Sequence, residues 1–196
     1  MGKGTLNGHE YSDSDLVKRC ADGDLRSQEL LYRRYFSFAM AICVRYTGDE
    51  YEAMEIVNDS YMKMLDSIPD YDPSRPFKSW YGKILVNTAI DHYRKNVKHN
   101  DYIPINTIAE TGDHEPEIET ELSVNDILTL YRYLPVNYRI TFNLFEIEGY
   151  THEEIGQMMG VTASTSRSNL ARAKKMLREL YNTYIIQGKK GNEELW

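Results

Sequence analysis

The sequence predicts an all-α protein with two helical domains joined by a flexible acidic linker. Apolar residues recur every three or four positions along most of the chain, which is the helical period, and no strand-like alternation occurs. Residues 97–121 lack this periodicity, and their second half, ETGDHEPEIETE, holds six acids and no cation. The pattern divides the chain into an N-terminal extension (1–12), a first domain (13–96), the linker (97–121), a second domain (122–186) and a C-terminal tail (187–196).

Four helices are predicted in the first domain, the first over residues 13–22. The second runs from Leu25 to Tyr46 and ends at Gly48. The third covers residues 51–68. Prolines then interrupt the chain, and Pro76 suits the first turn of a fourth helix that runs to about Lys95. The apolar positions expected to face the core are Leu31, Tyr35, Phe38, Ile42 and Tyr46 in the second helix and Met54, Val57, Tyr61, Met64, Leu65 and Ile68 in the third.

The second domain is predicted to begin with helices over 124–134 and 137–148 and to end with two capped helices. Thr151 and Glu154 have the spacing of a capping box, and Gly160 suits a tight turn. Thr162 then caps a longer helix. The buried stripe predicted for that helix is Ser166, Leu170, Ala173, Leu177 and Tyr181.

The opposite face of this last helix mixes short hydroxyls with cations. Thr165, Ser168, Arg172 and Lys175 fall together there, and Arg167 flanks them. Hydroxyl and guanidinium groups can reach base edges in the major groove, and cations neutralise phosphates. With the preceding short helix, this pattern indicates a DNA-binding helix-turn-helix. An amphipathic helix with a solvated basic face is the alternative.

Charge and composition limit the other functions. The net charge is −7, which argues against nucleic-acid binding by the whole surface but leaves local basic patches. No secretion signal or long apolar run occurs, so we expect a cytoplasmic protein without membrane insertion. Cys20 and Cys43 are expected to be buried thiols. No Cys/His cluster has metal-ligand spacing and no phosphate-binding glycine loop occurs, so we expect no catalysis, metal or cofactor.

Two further surfaces are predicted on the first domain. The third helix carries Glu52, Glu55 and Asp59, with Asn58 beside them, and this row is either a solvated face or a dock for a basic protein surface. The region from Tyr71 onward interleaves aromatic residues with cations, which suits unstacked bases. Trp80 is alternatively a core residue.

These segments carry a resemblance to a known family. EAMEIVNDSYMKMLDSIPDYDPSRPFKSWYGKILVNTAIDHYRK resembles region 2 of bacterial sigma factors of the extracytoplasmic-function group, within the sigma-70 family. LPVNYRITFNLFEIEGYTHEEIGQMMGVTASTSRSNLARAKKMLREL is similar to region 4 of the same family. The two segments occur in the family's order and together cover about three quarters of the chain.

The resemblance implies an RNA polymerase sigma factor, which is not an enzyme. It implies that core RNA polymerase binds at Glu52, Glu55, Asn58 and Asp59. The −10 promoter element would be held by Tyr71, Ser74, Arg75, Phe77, Lys78, Trp80, Lys83, Asn87 and Arg94. The −35 element would be read by Thr165, Arg167, Ser168, Ala171, Arg172 and Lys175. An anti-sigma factor is a further partner that the family implies.

Some residues depart from the family pattern, and other functions stay open from the sequence. Asn169 stands where the family usually has arginine, Asn58 and Asp59 replace Gln-Glu, and Ala171 is smaller than usual. One alternative is a helix-turn-helix regulator that binds duplex DNA as a dimer without polymerase. Another is a sigma-like protein that only sequesters partners.

Overall fold

The computed structural model describes residues 11–99 and 130–193, which contain helices and no strand. The predicted linker and the last residues of the tail lie outside these ranges. The first domain contains α1 (Asp13–Ala21), α2 (Leu25–Thr47), α3 (Glu50–Ser67), one 3₁₀ turn (Ile68–Asp70) and α4 (Phe77–His99). The second contains α5 (Val136–Phe142), which continues as a π-helical turn (Asn143–Ile147), then α6 (His152–Met159) and α7 (Ala163–Glu193).

Polar caps start the first-domain helices. Ser12 forms a capping box with Asp15 at α1, and the Asp24 and Asp49 carboxylates accept backbone N–H bonds at the starts of α2 and α3. Gly48 ends α2 in the left-handed conformation, with φ of 72°, and its N–H donates to the Val44 carbonyl. The capping side chains therefore determine where α1, α2 and α3 begin, and Gly48 determines where α2 ends.

The core of the first domain is formed where α2, α3 and α4 pack together. Leu31, Val57 and Leu85 are fully buried at this junction. One predicted core residue is placed wrongly by the sequence pattern: Met54 is 37% exposed, whereas Ala53 is fully buried. Successive helical residues differ by about 100°, so Met54 lies at the rim of the face that Ala53 centres. The predicted burial of both cysteines is confirmed, and both are free thiols.

In the second domain α7 packs across α5 and α6. Ser166, Leu170, Ala173 and Tyr181 of the predicted stripe are buried, and Leu177 is half-buried. The helix predicted over 137–148 forms in two parts, because an i→i+5 bond from Glu148 N to Asn143 O widens its last turn. The backbone of α7 stays helical to Glu193, beyond the predicted domain end.

The two domains contact each other, which the sequence pattern did not predict. Helix α5 packs on α2, and α6 packs on α4. Ile140 and Leu144 from α5 and its π-turn, together with Ile155 and Met159 from α6, belong to the same apolar cluster as the first-domain core. Within residues 11–99 and 130–193, every helix is too short or too polar to cross a bilayer.

Candidate DNA- and polymerase-binding surfaces

The helix-turn-helix predicted at α6 and α7 forms with both of its capping signals. The Thr151 hydroxyl accepts from Glu154 N, while the Glu154 carboxylate accepts from Thr151 N at 2.8 Å. Gly160 adopts φ of 72° and ends α6, and Thr162 Oγ1 accepts from Thr165 N at 3.1 Å to start α7. These local bonds fix the angle at which α7 leaves the turn.

The predicted DNA-reading face of α7 is open to solvent. Arg172 is half-buried, and the remaining positions are exposed, namely Thr165, Arg167, Ser168, Ala171 and Lys175. Arg167 Nη1 lies 3.6 Å from a Glu153 carboxylate oxygen, and both side chains are more than half exposed. Such a surface pair is weak in water. The face therefore presents cations and a hydroxyl that are free to meet phosphates and base edges.

Two polar residues lie on the buried side of α7, and one of them contacts α6. Ser166 is fully buried and its Oγ lies 2.9 Å from Nδ1 of His152, whose ring stacks on Phe145 with centroids 4.5 Å apart. Asn169 is 4% exposed. Asn169, the departure from the family's usual arginine, therefore faces the domain interior rather than DNA. The sequence stripe included Ser166 but gave no signal for its histidine partner.

The predicted −10 surface is built on a cluster of three aromatic rings. The Trp80 ring centroid lies 4.9 Å from that of Tyr71 and 5.7 Å from that of Phe77. Tyr71 and Trp80 are half-buried, whereas Phe77 is 5% exposed and stacks on Tyr81 in the core. Phe77 is thus placed to support the other two rings, which leaves Tyr71 and Trp80 as the aromatic surfaces that a base can reach.

The loop before α4 is ordered by its own side chains. The Asp72 carboxylate accepts from Ser74 N at 3.0 Å, the Asp72 carbonyl accepts from Arg75 N at 3.1 Å, and the Tyr71 hydroxyl donates to the Arg75 carbonyl. Hydrogen bonds that the Ser74 hydroxyl and backbone N–H donate to the Asp72 carboxylate lower the pKa of Asp72. Ser74 and Arg75 are exposed beside the aromatic rings.

The other predicted −10 residues lie along α4. Lys83, Asn87 and Arg94 are exposed, and the Lys78 ammonium lies 4.8 Å from the centre of the Phe38 ring. Arg94 also reaches the second domain, since its Nη2 donates to the Gln157 carbonyl at 2.9 Å. The structure therefore groups these cations on the first domain but engages Arg94 with α6.

The acidic face of α3 contains exposed residues and residues that contact neighbouring side chains. Glu55, Asn58 and Asp59 are exposed, and Asn58 Oδ1 accepts from the Tyr32 hydroxyl at 2.9 Å. Glu52 is half-buried and lies 3.2 Å from His92 Nδ1. Methionine side chains border the same face, and Met62 is 59% exposed there. The sequence interpretation omitted Met62, although its spacing of four from Asn58 places both on one side of the helix.

The described residues contain no group of three or more His, Cys, Asp or Glu side chains placed to hold a metal ion.

Comparisons with known proteins agree with the division into two domains. The family model for sigma-70 region 2 matches residues 31–99, and the model for sigma-70 region 4 matches residues 125–177. RNA polymerase sigma factor SigV of Bacillus subtilis is 30% identical over 136 residues, covering 68% of this chain and 78% of that protein. RNA polymerase sigma-H factor of Pseudomonas aeruginosa is 26% identical over 182 residues, covering 86% and 93%.

A further relative is ECF RNA polymerase sigma factor SigM of Bacillus subtilis, 26% identical over 156 residues, covering 78% of this chain and 93% of that protein. The surfaces described above occur on the two parts of the chain that these models match, in the same order. The chain belongs to the sigma-70 family and is an RNA polymerase sigma factor of the extracytoplasmic-function type.

Proposed function

We propose that this sigma factor divides promoter recognition between its two domains, with the residue roles given below. In this proposal the α7 face from Thr165 to Lys175 reads the −35 element as duplex DNA. The aromatic cluster and the cations of α4 hold the −10 element after strand separation. The exposed acidic face of α3 docks on core RNA polymerase.

The exposure of the α7 face is the observation that carries the proposal. A DNA-reading helix must leave its base-contacting side chains free while its other side is fixed to the domain. The described part of α7 meets both requirements, since Ser166, Leu170 and Ala173 are buried whereas Arg167 and Ser168 point outward.

The aromatic cluster supports the role in −10 recognition. A flipped base loses its stacking, at a cost of a few kcal/mol, and aromatic side chains must compensate. Stacking on one aromatic side chain contributes about 1–3 kcal/mol per base. Tyr71 and Trp80 each present part of a ring at the surface, and Arg75 and Lys83 are exposed nearby to follow the phosphates.

Polymerase docking is supported by the composition of the α3 face. Glu55, Asp59 and Asn58 are exposed, and the partners of Glu55 and Asn58, His92 and Tyr32, belong to the first domain. Carboxylates steer association with a basic partner surface, and the neighbouring Met62 adds apolar area that such a contact can bury.

The proposal also includes the cellular location of the protein and its partners. Promoter DNA and core polymerase are in the cytoplasm, so we place the protein there, acting as an initiation factor without catalysis of its own. The proposed domain limits are 13–96 and 122–186. An anti-sigma factor that covers the α3 face would compete directly with polymerase, and we propose such a protein as a regulatory partner.

The experiment compares DNA reading with polymerase docking in matched variants. Arg172→Ala is expected to weaken binding to a −35 duplex by about tenfold and to lower the salt slope of binding by about one. Lys174→Ala is the control, because it removes the same positive charge from α7. Lys174 is not one of the proposed DNA-reading residues, and its ammonium pairs with a Glu146 carboxylate oxygen at 2.8 Å. Glu55→Lys should instead weaken association with core polymerase, with Glu29→Lys of α2 as its control.

Binding is measured by fluorescence anisotropy on duplexes selected from a random pool by the purified protein, with and without core polymerase. Core association is measured by co-elution, and activity by run-off transcription. Equal losses in Arg172→Ala and Lys174→Ala would contradict the assignment of the α7 face. Duplex binding with no polymerase association would favour a regulator that acts without polymerase.

A further inference from the structure

A buried hydrogen bond joins the first residue of α6 to the first turn of α7. Ser166 of α7 is fully buried, and its Oγ lies 2.9 Å from Nδ1 of His152, where α6 begins. In one tautomer of the imidazole the serine hydroxyl donates to Nδ1, and in the other Nδ1–H donates to the serine oxygen. The two helices are therefore joined by this bond in either tautomer.

The serine hydroxyl lies within a stripe that is otherwise apolar. Leu170 and Ala173 continue the buried side of α7 and need no polar partner. A buried hydroxyl without a partner destabilises a fold, whereas a methyl group at the same position does not. Ser166 therefore depends on His152. Their bond adds a directional constraint that apolar packing lacks, because a hydrogen bond has a preferred distance and angle.

The imidazole of His152 is held in place by an aromatic ring. It stacks on the ring of Phe145, with centroids 4.5 Å apart and planes inclined by 18°. Phe145 belongs to the π-helical turn. The chain between that turn and α6 is held by the Tyr150 N–H, which donates to the Leu144 carbonyl at 2.9 Å. The π-helical turn and α6 thus set the orientation of the imidazole that contacts α7.

The bond to Ser166 controls the rotation of α7 about its own axis. Successive helical residues differ by about 100°, so the inward direction of Ser166 fixes the outward directions of Arg167 and Ser168. Side chains reach about 5–6 Å from a helix axis, so a rotation of about 20° moves their ends by about 2 Å. The usual range of donor–acceptor distances is only about 0.5 Å wide. A small rotation of α7 therefore breaks contacts to base edges.

Contacts to bases and to phosphates respond differently to such a rotation. A base edge is recognised by its pattern of donors and acceptors in the groove, which requires a fixed geometry. Attraction to phosphates carries no sequence information and acts over about 10 Å at about 0.1 M salt. Exposed cations such as Lys175 keep this attraction after a small rotation. The consequence is a loss of sequence discrimination with little loss of general affinity for DNA.

Two ion pairs also join α7 to its neighbours, but they lie at the surface. Arg167 pairs with Glu153 of α6 at 3.6 Å, and Lys174 pairs with Glu146 of the π-helical turn at 2.8 Å. Exposed pairs of this kind contribute little, because their long side chains are solvated and mobile. The buried bond between His152 and Ser166 is therefore better placed to fix the orientation of α7.

We propose that His152 is a positioning residue for DNA recognition, which acts through Ser166 to set the rotation of α7 and with it the discrimination between base sequences. His152 itself does not touch DNA in this proposal. The inference rests on the proposed role of the α7 face in −35 recognition. It adds a residue outside that face to the determinants of specificity.

The test compares specificity with affinity in the full chain. The probes are a duplex selected by the wild-type protein and a scrambled duplex of the same composition, measured by fluorescence anisotropy at one salt concentration, with and without core polymerase. Ser166→Ala removes the hydroxyl, and His152→Phe removes Nδ1 but keeps a flat ring against Phe145. Each should lower the preference for the selected duplex by about tenfold, the equivalent of about one base contact. Affinity for the scrambled duplex should change by less than about twofold.

The double variant separates positioning from stability. When both partners are replaced, no buried polar group is left unpaired, so the melting temperature should return toward the wild-type value while the preference for the selected duplex stays low. His152→Asn is the conservative replacement, because its side-chain amide lies as many bonds from the backbone as Nδ1 and can bond to the serine hydroxyl. It should retain most of the preference that His152→Phe loses.

Thr183→Ala is the matched control on the same helix. The Thr183 hydroxyl donates to the Glu179 carbonyl at 2.9 Å within α7, and the residue is exposed. This variant deletes a hydroxyl bond that does not reach α6, and it should keep the wild-type preference. Circular dichroism shows whether each variant is folded. If His152→Phe unfolds, Ser166→Ala carries the comparison, since it deletes only a hydroxyl.

The proposal is overturned if Ser166→Ala and the double variant prefer the selected duplex as strongly as the wild type does, since the pair would then serve stability alone. It is also overturned if Thr183→Ala loses as much preference as Ser166→Ala. A wild-type chain without preference for any duplex would contradict the proposed role of the α7 face, and this inference would fall with it. Discrimination that survives in the variants contradicts this inference alone and leaves the proposed function intact.

Discussion

Gly156→Ala tests how the junction of α6 and α7 fixes the DNA-reading helix. Gly156 is buried within α6, and a Cβ there would lie 2.8 Å from the Val161 carbonyl oxygen and 3.4 Å from Ala163 N. The turn closes onto this residue, since Val161 N donates to the Gly156 carbonyl at 3.0 Å. These are backbone atoms, so they cannot move without displacing the start of α7.

The expected magnitude is the difference between two opposing effects. Alanine is favoured over glycine within a helix by about 1 kcal/mol. Adding atoms to a tightly packed site costs about 1–3 kcal/mol, and the upper figure applies here because the atom met is backbone. The second domain should therefore lose about 2 kcal/mol of unfolding free energy, roughly thirtyfold in its folding equilibrium.

Hydrogen exchange of the α6 and α7 amides measures this loss locally, and −35 duplex binding should weaken with it. The control is Gly82→Ala in α4, where a Cβ would make ordinary contact with the Phe38 ring at 3.7 Å. That variant should be neutral or more stable by up to about 1 kcal/mol. If amide exchange in α6 and α7 of Gly156→Ala were as slow as in the wild type or slower, the argument that the α6–α7 junction requires glycine at this position would be refuted.

Two more predictions follow from the first domain. Burial raises the pKa of Asp13, but hydrogen bonds from Tyr35 and Arg34 outweigh it and hold the pKa below its usual value, so stability should fall as acid protonates this carboxylate below about pH 4. Asp13→Asn should flatten this fall when urea midpoints are measured from about pH 6 to 3. Trp80→Ala should weaken binding to single-stranded −10 DNA about tenfold or more while the domain stays folded. Phe77→Ala should instead cost about 3–5 kcal/mol of unfolding free energy. If both variants unfolded equally, the assignment of Phe77 to the core and of Trp80 to the surface would be contradicted.

The helix boundaries were predictable because their causes are local. Thr151 with Glu154, Gly48 and Gly160 act through bonds within a few residues, and each appears in the structure with the expected geometry. Residues at the rim of a helix face were less predictable. Met54 is exposed because the limits of the buried face depend on where neighbouring helices pack, and no single-helix pattern contains that information.

The contact between the domains could not be derived from the sequence for the same reason. Arg139 of α5 is one of many cations in the sequence, and it donates to the Tyr46 and Thr47 carbonyls at the end of α2. Backbone carbonyls leave no trace in side-chain composition. Asn143, at the start of the π-helical turn, likewise donates to a backbone carbonyl of the first domain. The exposed α7 face was predictable, because hydroxyls and cations recur there at helical spacing.

The proposed polymerase dock and the interdomain contact lie on different parts of α3. Glu50, at the start of the helix, pairs with Arg132, whereas Glu55 and Asp59 remain exposed one and two turns further on. Charge reversal at Glu55 or Asp59 can therefore test the proposed polymerase docking without removing the Arg132–Glu50 pair between the domains.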